Sequence, residues 1–202
     1  MEPTVRDGAE ELLQTYTEDG GINYLAAAAL LPSRSAIDTA CAELMSLMFP
    51  GFRGEPLFDS SDLPEVTRSR LRNLHSRLKP EFCKSLGKYP PDAAVEKRAE
   101  ELLAAFFSQL PAVRKMLWTD IDAAYEGDPA ATSYEEIILA YPALEAIAIQ
   151  RMAHELYLRN LPLIPRIMAP TLSPGNYTAL VTGVGGGPGT ALVEVYDESP
   201  SP

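Results

Sequence analysis

Two cysteines, two histidines and a single tryptophan are all that this 202-residue chain carries of those residue types, and each scarcity excludes something. Cys41 and Cys83 cannot build a disulfide framework, and no Cys-x-x-Cys pair exists. With so few cysteines and histidines a structural zinc site is not expected, and we assign no metal ligand. Basic residues are also in short supply. Lys and Arg number 17 against 28 Asp and Glu, a formal charge of −11, whereas a phosphate-binding surface needs clustered cations. No nucleic-acid partner is therefore expected. The one basic stretch, RSRLRNLHSRLK (68–79), reads as the solvated face of a helix. No apolar run reaches the roughly 18 residues of a membrane span. The opening MEPTVRDGAEELLQ lacks the basic and apolar regions of a secretory signal, so a cytoplasmic location is expected. What remains, 46% hydrophobic and 22% charged residues, is the composition of a globular protein with one domain, or one domain and an appendage.

Helical spacing dominates as far as residue 169. SRSAIDTACAELMSLMFPG offers Ser33 or Ser35 as N-cap, Ile37, Cys41, Leu44 and Met48 as an apolar stripe, and Pro50-Gly51 as a stop. Asp62 precedes a second helix with Pro64 in its first turn and Leu71, Leu74 and Leu78 on its stripe, and Pro80 is a candidate interruption. Asp92 starts a third helix, with Val95, Leu102, Leu103, Phe106 and Leu110 on one side. Pro111 is expected to end it. A fourth runs to Gly127 with Val113, Leu117, Ile121 and Ala124 as its stripe. After the loop GDPAATSY, Pro142 must kink or divide the next helix, and NLPLIPRIMAP suggests one more short helical turn.

The character changes at Pro170. YTALV and ALVEVY are β-prone runs around the glycine-rich loop GVGGGPG (183–189), a hairpin signal followed by a Pro/Ser tail. That loop is followed by Thr190 without a Lys and by a strand rather than a helix, so it is a turn and not a phosphate cradle. The expected fold is all-α, a bundle of six to eight helices over 1–169, with a β-hairpin appendage over 170–202.

Residue chemistry alone does not expose an active site. His154 lies among Ala, Ile and Leu, and on a helix 147, 151, 154 and 158 share a face, so Arg151 and His154 stand one above the other. A histidine in such a setting reads as a hydrogen-bonded core residue rather than a base. His75, among Arg72, Asn73, Ser76 and Arg77, reads as an exposed or stem-packed helix residue.

LPSRSAIDTACAELMSLMFPGFRGE and DIDAAYEGDPAATSYEEIILAYPALEAIAIQRMAHELYLRNLPLIPRIM together resemble the N-terminal helical domain of bacterial serine acetyltransferases. The distinctive parts are Asp128-Pro129-Ala130, Tyr141-Pro142 and Arg151-Met152-Ala153-His154. The resemblance implies a family that transfers an acetyl group from acetyl-CoA to L-serine, giving O-acetylserine in the first step of cysteine biosynthesis. It implies a second domain, a left-handed β-helix of hexapeptide repeats, that supplies the catalytic His, its Asp and the acetyl-CoA groove, and hexamers joined through the helical domains. By the same resemblance Asp128 helps to bind serine, while Arg151 and His154 are structural and His154 is not the base. Beyond Met168 the chain departs from the pattern: no hexapeptide repeats follow, no histidine occurs after His154, and the family's C-terminal isoleucine tail, which docks into the next enzyme, has no counterpart before Pro202. We therefore expect no catalytic residue and no bound cofactor in this chain, acetyl-CoA being the co-substrate of the intact family. The expected protein is a truncated or rearranged family member, inactive alone. The alternative is a non-catalytic helical oligomerisation module that pairs with itself or with intact acetyltransferase subunits.

Overall fold

The computed structural model describes residues 3–18, 31–54 and 59–169, so the expected hairpin of 170–202 lies outside the described residues. The described residues are all-α: α1 (Pro3–Glu18), α2 (Arg34–Met48), α3 (Leu63–Ser85), α4 (Ala93–Gly127), α5 (Tyr134–Ala140), α6 (Pro142–Tyr157) and α7 (Ile164–Met168), with a 3₁₀ turn at Ser60–Asp62. α2 and α4 begin where the sequence says they should. The Ser33 hydroxyl accepts from the Ala36 N–H, and the Asp92 carboxylate accepts from the Val95 N–H at 2.9 Å, each satisfying a donor with no partner inside its helix. α2 stops at Met48, and the chain turns back through Gly51 and Gly54, both at positive φ. A side chain at Gly54 would put its Cβ 2.8 Å from the Ser46 hydroxyl, so close approach as well as backbone shape requires glycine there.

The expected break at Pro111 and the candidate interruption at Pro80 do not occur. α3 runs through Pro80 to Ser85, and α4 is one 35-residue helix through Pro111, where the sequence pattern suggests two helices. Pro111 has no N–H for the Phe107 carbonyl, but the buried stripe Phe106, Leu110, Val113, Leu117 and Ile121 keeps its phase across it. Packing of that stripe outweighs one lost hydrogen bond. At Pro142 the expectation holds: α5 ends at Ala140 and α6 begins with Pro142 in its first turn.

α2, α3, α4 and α6 pack around one apolar core, with α7 closing one side against α6 and α2. Phe82, Leu74, Leu103, Phe106, Ile137 and Met152 are among its fully buried side chains. Polar ties fasten the same helices. The last-turn carbonyls of α2 receive Arg70 from α3 (to Ser46, 2.9 Å) and Arg114 from α4 (to Met48, 3.0 Å). Buried Glu81 accepts from the Ser33 N–H at 2.6 Å and pairs with Lys84 at 2.9 Å, which ties the start of α2 to α3. Arg151 of α6 grips Asp120 of α4 with both arms, Nε at 2.7 Å and Nη2 at 2.5 Å, a two-pronged pairing that sets the register of these helices. No helix among the described residues is long and apolar enough to cross a membrane.

Candidate functional site

Apart from Arg70, which donates to the Ser46 carbonyl, the basic stretch of α3 is paired with carboxylates. Arg68 and Arg72 pair with Glu65, Arg77 with Glu43, and Lys79 and His75 with Glu100 at 3.3 and 2.7 Å. With its charges taken up in this way, the stretch does not form a run of open phosphate-binding cations. Among the described residues no group of three or more His, Cys, Asp or Glu side chains is arranged to hold a metal ion.

His154 is not in the core. It is exposed, with its ring stacked beside that of exposed Tyr157 at 6.3 Å between centroids. The core face of α6 is Leu144, Ala148, Ile149, Met152, Ala153 and Leu156, so the 147–151–154–158 face is turned towards its edge and the solvent. The hydrogen-bonded core reading of His154 is corrected accordingly. Arg151, by contrast, is half-buried and engaged with Asp120.

The polar corner with chemical potential is where α4, α5 and the start of α6 meet. α4 ends at Gly127, and Asp128 is its C-cap, donating its N–H to the Ala124 carbonyl at 3.1 Å. Its carboxylate then accepts twice from within the chain: Oδ1 from the Ala130 N–H at 2.9 Å, and Oδ2 from the Tyr141 hydroxyl at 2.6 Å. Those two bonds, the Tyr141 one foremost, hold the Asp128 carboxyl below the usual aspartate range. The same bond pushes the Tyr141 phenol up to about 12, so at neutral pH the tyrosine is a donor and the aspartate an anion. Each carboxylate oxygen keeps acceptor capacity, since an ionised carboxylate offers about four lone-pair sites. A cation with N–H donors is the natural partner for such a group.

The surroundings of Asp128 are built with similar care. Ser133 caps α5 by accepting from the Glu136 N–H at 3.1 Å, and Glu136 reaches back to the Thr132 N–H and hydroxyl at 2.8 and 2.5 Å. Thr132 thereby holds the Glu136 carboxyl below its ordinary value. Tyr134 donates to Asp122 at 2.8 Å and packs at a tilt against Trp118 and Tyr125, with ring centroids 5.2 and 4.6 Å away. Sequence reasoning picked out Asp128 only through its resemblance. Tyr141 stands out in the sequence only through the Tyr141-Pro142 pair, and its hydroxyl contact, across 13 residues, leaves no local signal.

No family model matches the chain. It is 34% identical over 147 residues to the plasmid serine acetyltransferase of Synechococcus elongatus, a match covering 69% of this chain and 46% of that relative. A shorter stretch of 55 residues is 46% identical to the serine acetyltransferase of Bacillus subtilis, 27% of this chain and 25% of the relative. Among solved structures, serine acetyltransferase 1 of Entamoeba histolytica in complex with L-cysteine superposes with a TM-score of 0.56 at 28% identity, over 66% of this chain and 46% of that one. The chain thus spans about half the length of the plasmid relative and of the Entamoeba structure, over their N-terminal part. The helical region of this chain is similar in sequence and in fold to the N-terminal part of serine acetyltransferases.

Proposed function

We propose that this chain acts as the helical, substrate-gripping part of a cytoplasmic serine acetyltransferase assembly, with Asp128 receiving the ammonium group of L-serine. The observation that carries the reading is the Asp128 carboxylate itself, ionised and oriented by two donors, with acceptor capacity left on both oxygens. Acetyl transfer from acetyl-CoA also needs a base for the serine hydroxyl and a groove that aligns the thioester, which together supply most of the rate. Both described histidines lie outside the corner that holds Asp128: His75 is on α3, bonded to Glu100, and His154 is in the last turn of α6, stacked beside Tyr157. Alone, the chain binds substrate without turning it over, and intact acetyltransferase subunits are the partners that complete the site. Purified protein given acetyl-CoA and L-serine is expected to release no free CoA above a heat-killed control. Serine-dependent release would overturn the non-catalytic part of the proposal.

A second reading, a helical assembly module, rests on a separate observation. Trp118, Leu139, Tyr157 and Leu158 are large apolar side chains each more than half exposed. Such surface fits association with further copies of this chain or with intact subunits. Light scattering at tens of micromolar tests it, and a strictly monomeric species counts against self-association.

A further inference from the structure

We propose that Tyr141 is the positioning residue of the Asp128 site, and that the helix break imposed by Pro142 puts it there. This rests on the reading of Asp128 as an ammonium receptor. A residue before proline is driven out of the helical region, and Tyr141 is extended, with φ −90° and ψ 106°. It therefore belongs to neither α5 nor α6. Its backbone is nonetheless held from both sides, its N–H donating to Ile137 at 3.2 Å and its carbonyl accepting from the Leu144 N–H at 3.1 Å. From that fixed point the side chain reaches back to the C-terminus of α4, where the hydroxyl meets Oδ2 of Asp128 at 2.6 Å.

The second donor, the Ala130 N–H, meets the other oxygen, and the turn beneath is closed by the Ala131 N–H on the Asp128 carbonyl at 3.0 Å. Two donors on two different oxygens fix the carboxylate plane, so the remaining acceptor positions point in set directions before any ligand arrives. A receptor ordered in advance does not lose that freedom on binding. The nearby competing carboxylate, Glu136, is taken up by Thr132, which leaves Asp128 as the acceptor for an incoming ammonium group.

Nuclear magnetic resonance on the full chain tests this, with L-serine as probe and N-acetyl-L-serine, which lacks the ammonium group, as control. Serine is expected to shift the Ala130 amide saturably, N-acetylserine is not, and Asp128→Asn is expected to abolish the response. Tyr141→Phe is expected to weaken serine binding about tenfold, the size of a lost hydrogen bond to a charged group. It is also expected to raise the pH midpoint of the Asp128 carboxyl carbon. Equal serine affinity in wild type and Tyr141→Phe would overturn the inference while leaving Asp128 as the receptor. Weaker binding with an unmoved Asp128 midpoint would mark a merely structural tyrosine, and would overturn it as well. No response in the wild type would overturn both the inference and the reading beneath it. Should Tyr141→Phe not fold, Pro142→Ala carries the test: it keeps the hydroxyl but frees residue 141 to join a helix, and it too is expected to lose affinity.

Discussion

Pro111 and Pro142 stand in similar apolar, helix-forming sequence, yet α4 runs unbroken through the first while the second separates α5 from α6. Both lack an N–H and both crowd the preceding turn. The difference lies in what the flanking residues are asked to do. Around Pro111 one buried stripe continues on both sides, and every residue of it gains from staying in phase. Around Pro142 the two sides have different obligations. α5 packs on α4 and is capped separately by Ser133, α6 packs on both α4 and α7, and Tyr141 between them is committed to Asp128. A proline breaks a helix when the tertiary structure has a use for the break.

Three measurements would break or sharpen this comparison. The largest effect is expected from Phe106→Ala, which removes a fully buried ring from the stripe one turn before Pro111. It should cost about 3–5 kcal/mol in urea unfolding. It should also lower amide-exchange protection around Pro111, because the packing that bridges the proline is gone. Next, Pro111→Ala restores a helical hydrogen bond at an exposed interior position and is expected to stabilise by about 1–3 kcal/mol. Pro142→Ala, at a first-turn position that suits proline, should change stability by less than about 1 kcal/mol. Equal effects at the two positions would refute the distinction. The smallest effect is acid dependence at the α5–α6 junction. Because the Asp128 carboxyl is held below the ordinary aspartate value of 3.8, its contribution is fully present above that value and is lost as pH falls through its lower folded value. Melting temperatures followed from about pH 5 to 2 should fall less steeply in Tyr141→Phe than in wild type.

Much of the architecture was legible because helices announce themselves locally. The 37–41–44–48 stripe, the Asp92 cap and the Gly127 end all rest on interactions within a turn or two. The continuity of α4 was not legible, because proline's local penalty can be read from sequence and the packing that overrides it cannot. His154 failed for a related reason. The polar side of α6, Gln150, Arg151, His154 and Glu155, was there to be read, but the Ala, Ile and Leu neighbours drew attention from it, and the partners that fix the inward face lie on α4, α2 and α7. At the candidate site, Asp128 was visible by resemblance, but the Tyr141–Asp128 contact was not, and neither was the Arg151–Asp120 pair. Contacts 13 and 31 residues apart leave no period in a sequence.

α4 has one more consequence. At 1.5 Å per residue its 35 residues make a rod about 50 Å long, with the α3 contacts near one end and Asp128 at the other tip. A lever of that length turns a tilt of one degree at its α3 end into a displacement of about 0.9 Å at Asp128. The Arg151–Asp120 pair near that tip fastens α6 to the same stretch of α4, so Tyr141 is carried along with Asp128. The joint at which such a lever would flex is near its midpoint, where Pro111 leaves one rung of the helical ladder unmade.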